Sequence, residues 1–446
     1  MDAKSLRLAL LALLYYSCIF LVKTSMFACT FADYPTLLGL SYKTCLALAQ
    51  TFGYAIGKVP SLMFSPKLLQ SQLRGALLAV IISAGSLITL SCATPPAASL
   101  LLITLACVCL APTWSILQRF LEGRRDTEAI VAVVSFSYIG SSGLCKGIAV
   151  DLTNVHGLSD GEAVAACATV GVCVGVAAAI GVASQPPPSA ADVAKRGRRK
   201  AMVSYRDELG QLIRGGFGPG IALIIGAYTL LGALRAYRDY FQVELFSAVD
   251  LRQSTSLFAK SEFTVSLVVL ASSAGFGRFE DNSRALRWIL RVAAPCALGI
   301  ALMTTVHESG ALGGLSWMIG VGACTFLGYV PLGTMAFDRL LGAARYESTS
   351  ALLNLLMDAS VLLGTASILV YKDFFVEDPR AVRAHAGHSD EEDAREAQQI
   401  HAFFCAACWR VGLSVAALAL LAEASLVRAI DRRQRLLRKV DSGEAL

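Results

Sequence analysis

The chemistry available to this sequence rests on charges set where charge is costly. Lys23, Lys58, Lys146, Arg235 and Arg238 fall inside long apolar runs, and so do the acids Asp239, Glu262 and Asp358. An ionisable group inside a bilayer costs roughly 2.5–3.5 kcal/mol on insertion scales, so each must meet a partner or a water-filled cavity. Cations outnumber anions in this set. The excess points to a small anionic solute, whose carboxylate or phosphate accepts charge-assisted hydrogen bonds, bidentate ones where arginine donates.

Arg235, Arg238 and Asp239 stand at i, i+3 and i+4 and so share one helix face. If Asp239 forms a structural ion pair with Arg235, Arg238 is the residual cation. Neutral replacement of Arg238 is then expected to abolish uptake and leave the protein folded. Lys146 lies between Gly143 and Gly147, with Asp151 at an awkward i+5, and is expected to face a cavity. Lys23 and Lys58 either join it or snorkel to an interface. Asp358 has no cation at i±3 or i±4. It is either a carrier of a coupling proton or a protonated acid bonded to a neighbouring helix. Glu262 is expected to pair with Lys260 or Arg252 near the outer surface, and Glu423 with Arg428.

Other chemistries lack their residues. Most of the thirteen cysteines lie in apolar runs and read as packing residues. Cys405 and Cys408 form a C-x-x-C without a second pair or a histidine cluster at zinc spacing. His385 and His388 sit in a polar stretch. No Gly-x-x-x-x-Gly-Lys-Ser/Thr loop, His-Glu-x-x-His or Gly-x-Ser-x-Gly elbow is present, so no enzyme activity, metal or cofactor is expected.

The elements that must position these charges follow from composition. The 446 residues are 55% apolar and 16% charged, against about 45–50% and about 25% in soluble domains. That excludes a disordered chain, an arginine-surfaced nucleic-acid module and most soluble enzyme folds. About 20 apolar residues span a hydrocarbon core. Twelve such spans read at 6–31, 44–64, 73–93, 97–117, 128–150, 163–183, 217–240, 254–275, 286–306, 312–332, 348–371 and 401–427. The first, despite Lys4 and Arg7, is too long for a signal peptide. Lysine and arginine concentrate in the even-numbered connections and both tails, which places both termini in the cytoplasm of a multi-pass protein.

The chain thus divides into a six-helix bundle at 1–183, a Pro-rich and basic linker at 184–214, and a second six-helix bundle at 215–446. The second half carries an acidic outer loop at 372–400 and a basic tail, Arg428–Lys439. The linker run Lys195–Lys200 reads as an orientation signal against an anionic leaflet, with no nucleic-acid partner implied. Gly53/Gly57, Gly143/Gly147 and Gly171/Gly175 are spaced for close helix approach. Pro112, Pro219, Pro295 and Pro331 lie within spans and are expected to kink them. A monomer in the lipid bilayer is the expected state.

Several stretches together resemble one family. They are Val22-Lys23-Thr24 with Thr30-Phe31, Tyr42-Lys43, Gln50-x-x-Gly53-Tyr54-x-x-x-Lys58, Glu122-Gly123-Arg124-Arg125-x-Thr127-Glu128, Ser141-Ser142-Gly143-x-x-Lys146, Tyr237-Arg238-Asp239-Tyr240-Phe241 and Phe337-Asp338-Arg339. Over nearly its whole length the chain resembles the major facilitator superfamily, and within it a bacterial-type branch with a domain of unknown function. That branch is distantly similar to organophosphate:phosphate antiporters, which place one cation on the first helix and one on the seventh; Lys23 and Arg235 or Arg238 match. The superfamily's Gly-x-x-x-Asp-Arg signature is replaced by Phe64-Ser65-Pro66-Lys67. The resemblance implies an all-α membrane protein with a substrate site between two matched bundles. It also implies secondary transport of a small carboxylate or phosphorylated metabolite by alternating access, coupled to protons or a counter-anion. The alternatives are a non-transporting sensor or scaffold, and a lipid transporter.

Overall fold

The computed structural model describes residues 3–29, 31, 34–37, 39–64, 68–121, 130, 133–134, 136–186, 205–251, 255–276, 279, 281–346, 351–375 and 390–441. Outside the described residues lie Ser65–Lys67, Glu122–Glu128, Lys195–Lys200, Glu347, Ser348, His385 and His388. The first half contains α1 (Ala3–Thr24) with a 3-10 turn (Ser25–Ala28), α2 (Tyr42–Phe64), α3 (Gln70–Ser91), α4 (Pro96–Leu110), α5 (Thr113–Leu121), a π-turn (Ser137–Ser141), α6 (Ser142–Asn154) and α7 (Asp160–Ala183). The second contains α8 (Tyr205–Arg214), α9 (Gly218–Tyr240), α10 (Gln242–Ala248), α11 (Thr255–Phe276), α12 (Asn282–Glu308), α13 (Gly314–Thr334), α14 (Ala336–Ala343), α15 (Ala351–Phe375) and α16 (Asp390–Asp441).

Among the described residues, eight helical stretches are long and apolar enough to cross a membrane. They coincide with expected spans one, three, four, six, seven, nine, ten and twelve. The other four are the second, fifth, eighth and eleventh, one in every three. These carry several charges: Lys43 and Lys58 on α2, Lys146 and Asp151 on α6, Lys260 and Glu262 on α11, and Asp358, Lys372 and Asp373 on α15; of the eight, α9 carries Arg235, Arg238 and Asp239. On α1, Leu8, Ala12, Tyr15 and Ile19 are buried while Leu6, Leu10 and Leu14 are exposed, as expected of a helix between core and lipid.

Breaks recur six spans apart. The fourth span stops at Leu110 and restarts as the short amphipathic α5 after Pro112; the tenth stops at Thr334, shortly after Pro331, and restarts as α14. Pro112 lies between helices, where its missing N–H forfeits no helical bond. Pro219 sits in the first turn of α9, where proline is tolerated, so the kink expected there is absent. The connection expected at 372–400 is shorter, because α15 runs on to Phe375 and α16 begins at Asp390.

Contacts group the chain into two compact units. One comprises Met1–Arg196, Tyr237–Leu270 and Ala366–Phe403; the other Gly197–Ala236, Ala271–Thr365 and Phe404–Leu446. This grouping is by contact, whereas the two six-helix halves follow chain order. In the first unit, glycines set the helix spacing. A Cβ on Gly57 would lie 2.6 Å from both the Val108 carbonyl oxygen and the Ala111 Cβ of the fourth span. One on Gly171 would lie 2.8 Å from Val22 Cγ2, and one on Gly175 3.1 Å from Cys18 Cβ. Cys18 and Cys107 are thus buried free thiols that fill packing gaps. Gly57→Ala should destabilise the protein by about 1–3 kcal/mol, because the α4 backbone cannot yield cheaply. Gly75→Ala, where a Cβ meets nothing within 4 Å, should be neutral or stabilising by up to about 1 kcal/mol. Thermal unfolding of both in detergent checks the difference.

Candidate functional site

Of the five deep cations, Lys146 and Arg238 meet carboxylates, Lys23 and Arg235 lie against aromatic rings, and Lys58 is half-buried on α2. Arg238, in the last turn of α9, is 3% exposed, and so is Glu262 of α11. Its Nη2 donates to Glu262 Oε1 at 2.7 Å and its Nη1 to Oε2 at 3.3 Å. Gln242 Nε2 donates to the same Oε1 at 2.6 Å. This corrects two expectations. Arg238 is no residual cation, and Glu262 pairs with it inside the bundle instead of with Lys260 or Arg252 at the surface. Room for Glu262 comes from Gly143, where a Cβ would lie 2.7 Å from Glu262 Cβ.

Asp239, the next residue, turns to the first half of the chain. Lys146 Nζ donates to Asp239 Oδ1 at 2.7 Å and to its backbone oxygen at 2.8 Å, and Ser142 Oγ donates to the same Oδ1 at 2.7 Å. Its ion pair is therefore with Lys146 of α6, 93 residues away, where sequence spacing had offered Arg235. One turn further along α6, Asp151 accepts from the backbone N–H of Thr255 at 3.3 Å and from its hydroxyl. Gly143, Lys146, Gly147 and Asp151 thus form one stripe of α6 facing α11 and the end of α9. Glu423, expected beside Arg428, is held by Arg291 Nε at 2.7 Å.

A further cluster went unread in the sequence. Lys43 and Lys372 are only 5% and 1% exposed, although both sit just beyond the apolar runs expected at 44–64 and 348–371. Lys43 pairs with Glu244. Lys372 Nζ lies 4.6 Å from the centre of the Phe241 ring and 2.9 Å from Asp373 Oδ1. Asp373 caps α2 from outside: Oδ2 accepts the Ser41 N–H at 2.9 Å and Oδ1 the Thr44 hydroxyl at 3.1 Å. A carboxylate there complements the positive end of the helix dipole. The signal in the sequence was Ser41-x-x-Thr44 opening a helix that carries a lysine in its first turn.

Lys23 and Arg235 are seated differently. Lys23, half-buried at the end of α1, places Nζ 4.3 Å from the Phe20 ring centre and 5.0 Å from that of Tyr54. Tyr16 packs on both Phe20 and Trp114, at 5.7 and 5.6 Å. Lys58, also half-buried, is one turn beyond Tyr54 on α2 and shares its face. In the other unit, the Arg235 guanidinium lies 5.5 Å from both the Phe326 and Tyr329 rings. Tyr329 stacks on Tyr228 at 4.3 Å, and Asp358, half-buried on α15, belongs to the same unit. Nearby, Thr229 and Ser360 join α9 to α15 by a hydroxyl bond of 2.7 Å. Cations on ring faces keep their charge while shedding water.

Comparison with known proteins bears on this arrangement. A model described as a family of unknown function, DUF5690, matches residues 25–386. No curated protein matches the sequence. Among solved structures, a mutant of the nucleoside transporter NupG is similar at a TM-score of 0.62 and 14% identity, covering 93% of this chain and 99% of that one. A bacterial homologue of the human lysosomal transporter Spinster, inward-facing and unoccupied, has a TM-score of 0.61 at 13% identity, covering 96% and 99%. A mutant peptide transporter POT, in complex with alafosfalin, has a TM-score of 0.56 at 13% identity, covering 94% and 95%. The fold is therefore that of the major facilitator transporters, an all-α integral membrane protein with eight helices, among the described residues, long and apolar enough to cross a membrane. These likenesses carry the fold and lend no support to the organophosphate:phosphate antiporter resemblance.

Breaking a buried pair on one side leaves an uncompensated charge, at about 3–5 kcal/mol. Arg238→Gln should therefore lower stability by that order, and the outcome foreseen from sequence, a folded but inactive protein, is replaced by a poorly folded one. The double variant Arg238→Met/Glu262→Leu should recover most of the loss. Unfolding midpoints of the two variants in detergent provide the check.

Proposed function

The chain belongs to DUF5690, a family of unknown function, and from that premise and its fold we propose that it is a secondary transporter of a small organic anion. The solute carries a carboxylate or phosphate on an apolar body. The carrying observation is a pair of cations seated against aromatic rings, Lys23 by Phe20 and Tyr54 and Arg235 by Phe326 and Tyr329. An anion gains most at a cation that has already lost its water, and rings beside the charge suit an apolar body. Lys58 extends the Lys23 group along α2. Asp358, half-buried on α15, is the candidate carrier of a coupling proton. The similar solved structures are themselves named as transporters, of nucleosides and peptides among others, which supports the same general role.

A thermal-shift panel of aromatic and aliphatic carboxylates and phosphorylated compounds should raise the melting temperature with an aromatic carboxylate or phosphate among the strongest, since a ligand that binds only the folded state stabilises it. Uptake of that compound into proteoliposomes should fall about ten- to hundredfold in Lys23→Gln and in Arg235→Gln, matching the loss of one hydrogen bond to a charged group. Both variants should keep the wild-type elution profile. Wild-type uptake by both would remove these cations from the site.

A further inference from the structure

Five consecutive residues, Tyr237-Arg238-Asp239-Tyr240-Phe241, are unused by the function above, yet each reaches a different neighbour. The Tyr237 ring lies 5.0 Å from Phe403. Arg238 holds Glu262 and Asp239 holds Lys146. The Tyr240 hydroxyl accepts from Gln50 Nε2 at 3.3 Å, and its ring lies 4.5 Å from Phe27. Phe241 carries Lys372 at 4.6 Å and Lys43 at 6.0 Å. Within one unit, this segment ties α2, α6 and the turn after α1 to α11, α15 and α16.

The two ion pairs at its centre differ in access. Side chains of Arg238 and Glu262 are both 4% exposed, so that pair is sealed. In the neighbouring pair Lys146 is 1% exposed but Asp239 is 22% exposed, more than Glu244 at 13% opposite Lys43. Lys146 is thus approachable from the side its acid occupies. What occupies it is a carboxylate, chemically the group of the proposed solute. An incoming carboxylate or phosphate oxygen can take the place of Asp239 Oδ1 on Lys146 Nζ, adding one negative charge beside an Asp239 that keeps its bond from Ser142.

We propose that Asp239 is a built-in stand-in for the anionic group of the solute at Lys146, so that solute binding at Lys146 and the Lys146–Asp239 ion pair, one part of the tie between α6 and α9, exclude each other. The proposal rests on the anionic-solute reading above. It makes Lys146 a solute contact only in the state where the tie is open, and makes Asp239 an internal competitor whose removal strengthens binding.

The test uses full-length protein in detergent, with sodium benzoate and inorganic phosphate as probes against sodium chloride at matched ionic strength. Asp239→Asn should bind one probe at least fivefold more tightly than wild type, and Lys146→Gln should lose that gain. A purely structural salt bridge gives the reverse, weaker or equal binding on its removal. Hydrogen exchange supplies a readout without any probe. Amides of 142–154 and 237–248 should exchange faster in Asp239→Asn and return to wild-type rates in the swap Lys146→Asp/Asp239→Lys, which also covers failure of the single variant to fold. Unchanged exchange in Asp239→Asn overturns the tie. Binding by wild type that Lys23→Gln abolishes and Asp239→Asn leaves unchanged overturns the stand-in and spares the anionic reading. No binding of either probe by wild type and Asp239→Asn alike overturns both.

Discussion

The low dielectric of a membrane-embedded bundle makes every buried charge a demand that some other side chain must answer. Desolvation costs several kcal/mol per ion, and here the answers are of two kinds. Arg238, Lys146 and Lys43 are met by carboxylates from other helices, while Lys23 and Arg235 are met by ring faces. Much of the packing follows from supplying those answers. Gly143 is bare so that Glu262 can reach Arg238, and Gly147 is bare so that Thr255 can approach Asp151; a Cβ on Gly147 would lie 2.7 Å from Thr255 Cα.

The four spans that are less apolar recur at every third position, and the interrupted spans recur six apart, the spacing expected of nested three-helix repeats within each half of this fold. The more apolar members pack by small residues, as α1 and α7 do through Cys18, Gly171 and Gly175. The π-turn at Ser137–Ser141, immediately before the polar stripe of α6, belongs to the same pattern: such turns re-aim a helix face where a site requires it.

Much of the fold was legible in the sequence, because span length and hydropathy are local and additive properties. Glycine pairs were legible for the same reason, since only the absence of a side chain had to be read. Legibility failed at helix ends. Lys43 and Lys372 fall outside the expected spans because an apolar-run rule stops at the first charge, even when folding buries that charge against Phe241. Pro219 was read as a kink because the sequence does not say that α9 begins one residue before it.

By itself, then, the sequence determined the solvent, the long apolar helices and most of the costly charges, all of which depend on each residue and its near neighbours along the chain. Only the tertiary structure decided which charge cancels which. The partners of Arg238, Asp239 and Ser41 lie 24, 93 and 332 residues away, beyond any i±4 rule. Coulomb energy in a dry interior depends on distance in space, and helix packing alone sets that distance.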